Sequence, residues 1–384
     1  MIYKKLGNTN TEISPIGLGT MGIGGYFTKD VSKDNFYIDI IRKSIDLGST
    51  FIDTAEIYGA GHSERLIGEA IYGYYSRKDI FIATKVSPEH LRYNDVIKSA
   101  ENSCLRLQIN YIDLYQIHWP NPTILLEETL LAMKHLLDKG KIKHVGICNF
   151  SLKELIKAKK ISNELGFDIV SNQVEYNLFD KTIEDDILPY CEKNNITVIA
   201  YSPLDNGKFV NYNYYDDLEI IAKRYNKKVS QLILRWLISH KNVIVIPKSA
   251  NIEHIKDNSS SDFEIKQEDI EFINKNFKLN CVEIPVEKIL VNTDGLDKFV
   301  PRPEDLANSI KNKNIELKPI RVKLNSVTLG KFNDHDYGHE YDYSYDYELI
   351  EGKVRYWAWI YAHGGSVNDY RNKKIPPIKS LIRS

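Results

Sequence analysis

Residues 80–119 read IFIATKVSPEHLRYNDVIKSAENSCLRLQINYIDLYQIHW. An apolar run (80–86) and a loop lead into NDVIKSAENSCLRLQ (94–108), whose apolar residues recur every three to four positions; a second apolar run (112–119) follows. The outer runs suit buried strands and the middle one an amphipathic helix. A strand, a helix and a strand in succession are the repeating unit of a parallel sheet covered by helices.

The same unit recurs on both sides. Strand candidates are ISPIGLGT (13–20), TFIDTA (50–55), IFIATKV (80–86), IDLYQIHW (112–119), HVGICNF (144–150), IVSNQVEY (169–176), TVIAYSPL (197–204) and VIVIPKS (243–249). Between them lie NFYIDIIRKSIDLG (35–48), SERLIGEAIYGYY (63–75) and TILLEETLLAMKHLLDKGK (123–141), again with helical spacing. Eight strands alternating with eight helices predict a closed (β/α)₈ TIM barrel, an α/β fold that fills about 250 residues. The opening MIYKKLGNTNTEIS predicts a small hairpin turning at Gly7-Asn8 that plugs the barrel's N-terminal end. The pattern ends with a last helix over 265–277.

The chain is 384 residues long, more than one barrel needs, and its grammar changes near Cys281. VEIPVEKILV (282–291), PRPEDLANSIKNKN (301–314), KPIRVKL (318–324) and YELIEGKVRYWAWIYAHGG (347–365) predict a separate small α/β domain. The boundaries are therefore 1–278 for the barrel and 279–384 for the second domain. NDHDYGHEYDYSYDYE (333–348) reads as a solvated hairpin or insertion, and His335, Asp336, His339 and Asp342 lack the fixed register a metal site needs.

A net charge of -1 gives no electrostatic basis for a nucleic-acid or anionic-membrane partner. With no apolar run long enough to span a membrane and no signal-peptide-like start, the expectation is a cytoplasmic protein. Cys104, Cys148, Cys191 and Cys281 lie far apart, so they are expected to be reduced and mostly buried rather than paired or metal-bound. GTMGIGG (19–25) lacks the Gly-Lys-Ser/Thr ending of a phosphate loop.

In a TIM barrel the chemistry sits at the C-terminal ends of the strands. Those ends carry Asp53, Tyr58, Lys85 and His118. Each alone has an ordinary structural reading; together they form a device for donating a proton. A nearby ammonium, Lys85, is expected to lower the pKa of the Tyr58 phenol, Asp53 to hold Lys85 charged, and His118 to orient a carbonyl oxygen. One positioned acid without a metal suits hydride addition to a carbonyl, with the hydride coming from a cofactor.

FIDTAEIYG (51–59), ATKV (83–86), QIHWP (116–120), GKIKHVGICNFS (140–151), NQVEYN (172–177), YSPL (201–204) and IPKSANIEHIKDN (246–258) resemble, in order, the motifs of the aldo-keto reductases. The resemblance spans residues 1–278. It implies NADPH-dependent reduction of an aldehyde or ketone, a small-molecule carbonyl substrate, and Asp53, Tyr58, Lys85 and His118 as the catalytic tetrad. It further implies Gly19, Thr20 and Met21 near the cofactor ribose and nicotinamide, Asn149 and Gln173 on the carboxamide, and Tyr201 under the nicotinamide ring. Ser202 and Leu204 would face the pyrophosphate, Lys248 and Ser249 the 2′-phosphate, and Asp257 and Asn258 the adenine.

Three departures bear on these roles. Cys148 stands where the family usually has Ser, which weakens one carboxamide bond. His254 stands where an Arg often meets the 2′-phosphate, which leaves NADH open as an alternative cofactor. DNGKFVNYNYYDD, after YSPL, is shorter than the loop that closes over the cofactor in many relatives. Tyr26, Phe27 and Trp119 are expected to wall an uncharged substrate pocket.

YELIEGKVRYWAWIYAHGG, with VEIPVEKI, RPEDLANSIKNKNIELKPIRV and IPPI, resembles the ParB-like and sulfiredoxin-like fold over 281–378. That resemblance implies a nucleotide such as ATP, ADP or CTP, with Mg, held at Gly352, Lys353, Val354 and Arg355. Partition function lacks a helix-turn-helix here, and sulfiredoxin chemistry lacks a cysteine at the turn. Phosphoryl transfer to a small molecule remains, making the chain bifunctional, alongside a regulatory or scaffold role. The reading from a different class is a cofactor-sensing barrel without turnover, against which the intact tetrad stands.

Overall fold

The structure is a computed structural model. It describes residues 3–211, 215–261 and 263–277, and, beyond these, 281–284, 289–290, 303, 307, 320–324, 332–333, 340–341, 347–351, 353–363 and 375–383. The chain divides into two compact units, Met1–Lys278 and Leu279–Ser384.

In the first unit a hairpin of β1 (Lys4–Lys5) and β2 (Glu12–Ile13) precedes β3 (Leu18–Gly19), β4 (Phe51–Asp53), β5 (Phe81–Val86), β6 (Ile112–Ile117), β7 (Ile142–Cys148), β8 (Ile169–Glu175), β9 (Thr197–Tyr201) and β10 (Val243–Val245). The strands β3 to β10 pair in sequence order as one parallel eight-stranded sheet. The sheet closes on itself: Gly17 N donates to Val245 O (2.8 Å), Val245 N to Pro15 O (2.9 Å), and Gly19 N to Pro247 O (3.1 Å). This is a (β/α)₈ barrel.

The first strand is shorter than the expected 13–20. Pro15 has no N–H to give and joins the closure only through its carbonyl, while Ile13 pairs backward with Lys4. The hairpin turns at Gly7, in the left-handed region at φ 56°. Leu6 and Ile13 pack on Phe51, Ala83, Leu114, Val170, Ile199 and Ile244, filling the barrel interior. Lys4 Nζ donates to Ile238 O, His240 O and Val243 O at 2.6, 2.6 and 2.8 Å, so the plug also satisfies two carbonyls at a helix end and one at the start of β10.

Helices α1 (Asp34–Asp46), α2 (His62–Ile71), α3 (Tyr93–Leu107), α4 (Leu126–Asp138), α5 (Leu152–Glu164), α6 (Ile187–Lys193), α7 (Tyr215–Arg224), α8 (Val229–Ser239), α9 (Ile252–Ser259) and α10 (Gln267–Asn276) follow the strands. Two helices, α7 and α8, lie between β9 and β10, and two more follow β10, so the helices exceed the expected eight. Their apolar stripes face the sheet: Ile41 and Ile45 of α1 and Leu66, Ile67, Ala70 and Ile71 of α2 pack with Ile52, Ile82 and Leu107. Each such buried Ile or Leu contributes roughly 1.5–3 kcal/mol. Among the described residues no helix is long and apolar enough to cross a membrane.

In the second unit, strands β11 (Cys281–Ile284), β12 (Ile289–Leu290), β13 (Ile320–Leu324), β16 (Tyr347–Glu351) and β17 (Ile378–Arg383) form one mixed sheet in the order β11-β17-β13-β16-β12. A short antiparallel pair, β14 (Phe332–Asn333) and β15 (Glu340–Tyr341), lies at the start and in the middle of the Tyr/Asp-rich stretch. Helix α11 (Lys353–Ala362) starts two residues after β16 and buries Tyr356, Trp357 and Ile360 on one face. Gly352, His335, Asp336, His339 and Asp342 lie outside the described residues.

Candidate active site

Asp53 ends β4, Lys85 lies near the end of β5, and His118 follows β6, so the parallel register places all three at the C-terminal rim of the barrel. Tyr58 sits in the turn after β4. The chain leaves it through Gly59, Ala60 and Gly61, all at positive φ (56°, 52° and 85°), before entering α2. A Cβ on Gly59 would lie 2.3 Å from Gly24 O, so only glycine fits.

The four side chains converge. Lys85 Nζ donates to Asp53 Oδ2 (2.6 Å) and Thr54 O (2.8 Å) and reaches Tyr58 OH at 3.3 Å. The rings of Tyr58 and His118 meet edge to face at 5.7 Å between centroids, and Trp119 stacks on His118 at 3.8 Å. Lys85 and Asp53 are 0% and 2% exposed, so this ion pair operates away from bulk water.

Burial acts to lower the Lys85 pKa, but the Asp53 carboxylate, with Tyr58 beside it, outweighs this and holds Lys85 above its ordinary value, protonated. Burial pushes His118 well below the ordinary imidazole range, and the Lys85 charge adds to this; the ring is neutral. Lys85 pulls on Tyr58 in the expected direction, but a larger effect opposes it. Burial raises the phenol above its ordinary value of 10, and the pull of Lys85, partly cancelled by Asp53, does not reverse it. Desolvation of a phenolate with only one nearby cation is the larger effect.

Asp53 is held more firmly than its pairing with Lys85 alone requires. Its second oxygen, Oδ1, accepts from Gln173 Nε2 (2.7 Å) and Gln116 Nε2 (3.3 Å). Gln116 in turn accepts from the Cys148 thiol at 3.6 Å, and burial keeps that thiol neutral. Gln116 was absent from the sequence-derived set, yet it lies two residues before His118 on the same strand face, a period-two signal. Gly146 makes room for it: a Cβ there would lie 3.0 Å from Gln116 Cγ and 2.4 Å from Ser171 Oγ.

The other rim residues stand as follows. Asn149, left-handed at φ 63°, donates from Nδ2 to His118 O (3.0 Å) and accepts from Tyr201 OH (3.0 Å). The Thr20 hydroxyl is turned inward onto Asp53 O (3.0 Å) and accepts from Ser63 Oγ (3.0 Å). Gly19 is buried in the closing seam of the barrel, and Met21 is exposed. Ser202 is left-handed at φ 48°, and Leu204 O accepts from Gly207 N (2.8 Å). Lys248 is exposed, Ser249 Oγ accepts from Asn251 N (3.0 Å) ahead of α9, and Asn258 is buried in that helix. Asp257 is paired with Lys228 at 2.7 Å, which ties α9 to α8. His254, Tyr26 and Phe27 are exposed, and Trp119 is half-buried.

Cys104, Cys148 and Cys191 are free and buried. Among the described residues no cluster of three or more His, Cys, Asp or Glu could hold a metal ion. Lys353, Val354 and Arg355 open α11.

The sequence profile of the Aldo/keto reductase family matches residues 15–276, and the chain belongs to that family. It is 34% identical over 253 residues to the methylglyoxal reductase YeaE of Escherichia coli (strain K12), covering 65% of this chain and 86% of that protein. Among solved structures, the thermostable aldo-keto reductase Tm1743, in complex with the inhibitor epalrestat, superposes with a TM-score of 0.69. It is 42% identical, covering 71% of this chain and 99% of its own. An aldo/keto reductase from Klebsiella pneumoniae, in complex with NADP and acetate, gives a TM-score of 0.65 at 32% identity, covering 72% and 95%.

Proposed function

We propose that the barrel reduces an aldehyde or ketone with NADPH, using Tyr58 as the proton donor. The observation that carries this reading is the buried Asp53–Lys85–Tyr58 chain of contacts at 2.6 and 3.3 Å. The methylglyoxal reductase relative and the NADP complex among the structural neighbours support it.

The donor set suits a nicotinamide dinucleotide. The amides of Asn149 and Gln173 contact the backbone of His118 and the carboxylate of Asp53 and are already oriented by Tyr201 and Asp53. Both would hold the carboxamide, with Tyr201 stacking on the nicotinamide. Gly19, Thr20 and Met21 would line the ribose and nicotinamide. Ser202 and Leu204 would meet the pyrophosphate, Lys248 and Ser249 the 2′-phosphate, and Asp257 and Asn258 the adenine. When bound, the cofactor supplies the hydride.

The chain's own residues manage the proton. His118, held neutral by burial, would offer an N–H to the carbonyl oxygen. Tyr58 gives up its O–H proton to that oxygen as negative charge builds there, and the Lys85 ammonium offsets the phenolate left behind. Asp53 keeps Lys85 protonated throughout, itself fixed by Gln173 and Gln116. We place this activity in the cytoplasm.

A panel of aldehydes, ketones and sugars, followed by loss of NADPH absorbance, tests the reading: at least one member is reduced, and reduction of none overturns it. Lys248→Ala is expected to weaken NADPH binding about tenfold while leaving NADH nearly unchanged, measured by fluorescence titration. Equal loss for both cofactors would remove Lys248 from the 2′-phosphate.

The second unit we read as ParB-like: it binds ATP, ADP or CTP with Mg at Gly352, Lys353, Val354 and Arg355, and transfers a phosphoryl group to a small-molecule hydroxyl. The support is the step from β16 into α11 across a single glycine, since a helix N-terminus favours phosphate. Calorimetric titration of the full chain should show saturable nucleotide binding that Arg355→Ala abolishes and Lys248→Ala leaves intact. If no such binding appears, the unit is a scaffold.

A further inference from the structure

Glu56 lies between Asp53 and Tyr58 in the chain and has no part in the proton path. Its side chain is 9% exposed, and its Oε1 accepts from Ser87 N at 2.7 Å and meets His90 Nδ1 at 3.0 Å. Its backbone N–H donates to Lys85 O at 3.3 Å. Both ends of Glu56 are therefore fastened to the segment that leaves β5, one at Lys85 itself and one two residues beyond.

That segment is a hub. His90 Nδ1 lies 3.2 Å from Ser87 Oγ and 3.3 Å from Ser99 Oγ, which sets its ring. On the other side, Pro88 O accepts from Asn121 Nδ2 (2.7 Å) and Val86 O from His118 N (3.0 Å). The loop of Tyr58 and the loop of His118 are thus tied to the same short stretch of chain. A largely buried carboxylate is costly unless its oxygens are satisfied, and here an oxygen is committed to a backbone N–H of the neighbouring strand end.

We infer that Glu56 is a positioning residue, whose carboxylate braces the Tyr58 loop against the end of β5 and so sets the separation of Tyr58 OH from Lys85 Nζ. The inference rests on the reading of Tyr58 as the acid. The ion pair with His90 is the lesser part, because His90 is 53% exposed and such pairs contribute little. The bond to Ser87 N needs only an acceptor oxygen, which an amide also provides.

The test compares Glu56→Ala with Glu56→Gln in the full chain. An error of about 1 Å in placing a reacting group costs up to about 10²-fold, so Glu56→Ala is expected to lower kcat roughly 10- to 100-fold, with KM and the NADPH Kd little changed. Glu56→Gln is expected to stay within about threefold of wild type. Hydrogen exchange at the Ser87 and Tyr58 amides should accelerate in the alanine variant and not in the glutamine variant. Unchanged kcat in Glu56→Ala, equal losses in both variants, or KM and Kd rising together with the loss of kcat would each overturn the inference. Should wild type reduce no carbonyl, the functional reading fails, and the brace is judged by exchange alone: acceleration confined to the alanine variant supports it, and none overturns it.

Discussion

Tyr58→Phe is expected to lower kcat for carbonyl reduction by about 10²- to 10⁴-fold, the range a positioned general acid supplies, while NADPH binds as tightly as before. The phenylalanine ring keeps the edge contact with His118. Lys85 keeps its bonds to Asp53 and Thr54 O. Only the transferable proton disappears, so the loss belongs to kcat and not to folding. A variant within about threefold of wild type would show that another group delivers the proton. His118 is the nearest alternative, but an imidazole held well below its ordinary range carries no proton to spare at neutral pH. The sign follows directly: as pH rises from about 6 to 8, His118 stays neutral, and the pH profile of kcat should show no limb from it. A limb in that window that vanishes in His118→Gln would contradict this.

Lys85→Met should have the largest effect on stability. It leaves the Asp53 carboxylate buried without a counter-charge, and breaking a buried pair from one side costs about 3–5 kcal/mol. Adding Asp53→Asn to that background should recover roughly half or more of this, because it removes the stranded charge yet keeps an acceptor for Gln173 and Gln116. A chain of two units need not unfold in one step, so the measurement is native-state hydrogen exchange at amides of β4, β5 and β6. Activity should be lost in both variants, since neither retains the ammonium beside Tyr58. A single variant as stable as wild type, or a double variant with no recovery, would show that the pair is less isolated from water than its burial indicates.

Much of this was legible in the chain. The eight strand-like runs stand where the barrel strands lie, because a strand covered on both faces needs an uninterrupted apolar run and its partners cannot disguise it. That Asp53, Lys85 and His118 meet at one rim was readable because strand ends in a parallel barrel converge whatever the loops do. What was not legible depends on side chains meeting across strands. Gln116 and Gln173 both donate to Asp53 although 63 and 120 residues separate them from it. The short first strand depends on Pro15 meeting Val245 at the seam.

The amino-acid sequence by itself determined that this chain contains a parallel barrel with a phenol, a cation, a carboxylate and an imidazole on its rim, since periodicity and strand-end position are local properties. Only the tertiary structure decided how burial bears on the phenol, the ammonium and the imidazole. The sequence reading has Lys85 lowering the Tyr58 pKa, whereas in the folded barrel the loss of water around the phenol outweighs the nearby ammonium. Desolvation is the sum over everything packed around a group, and no stretch of sequence carries that sum.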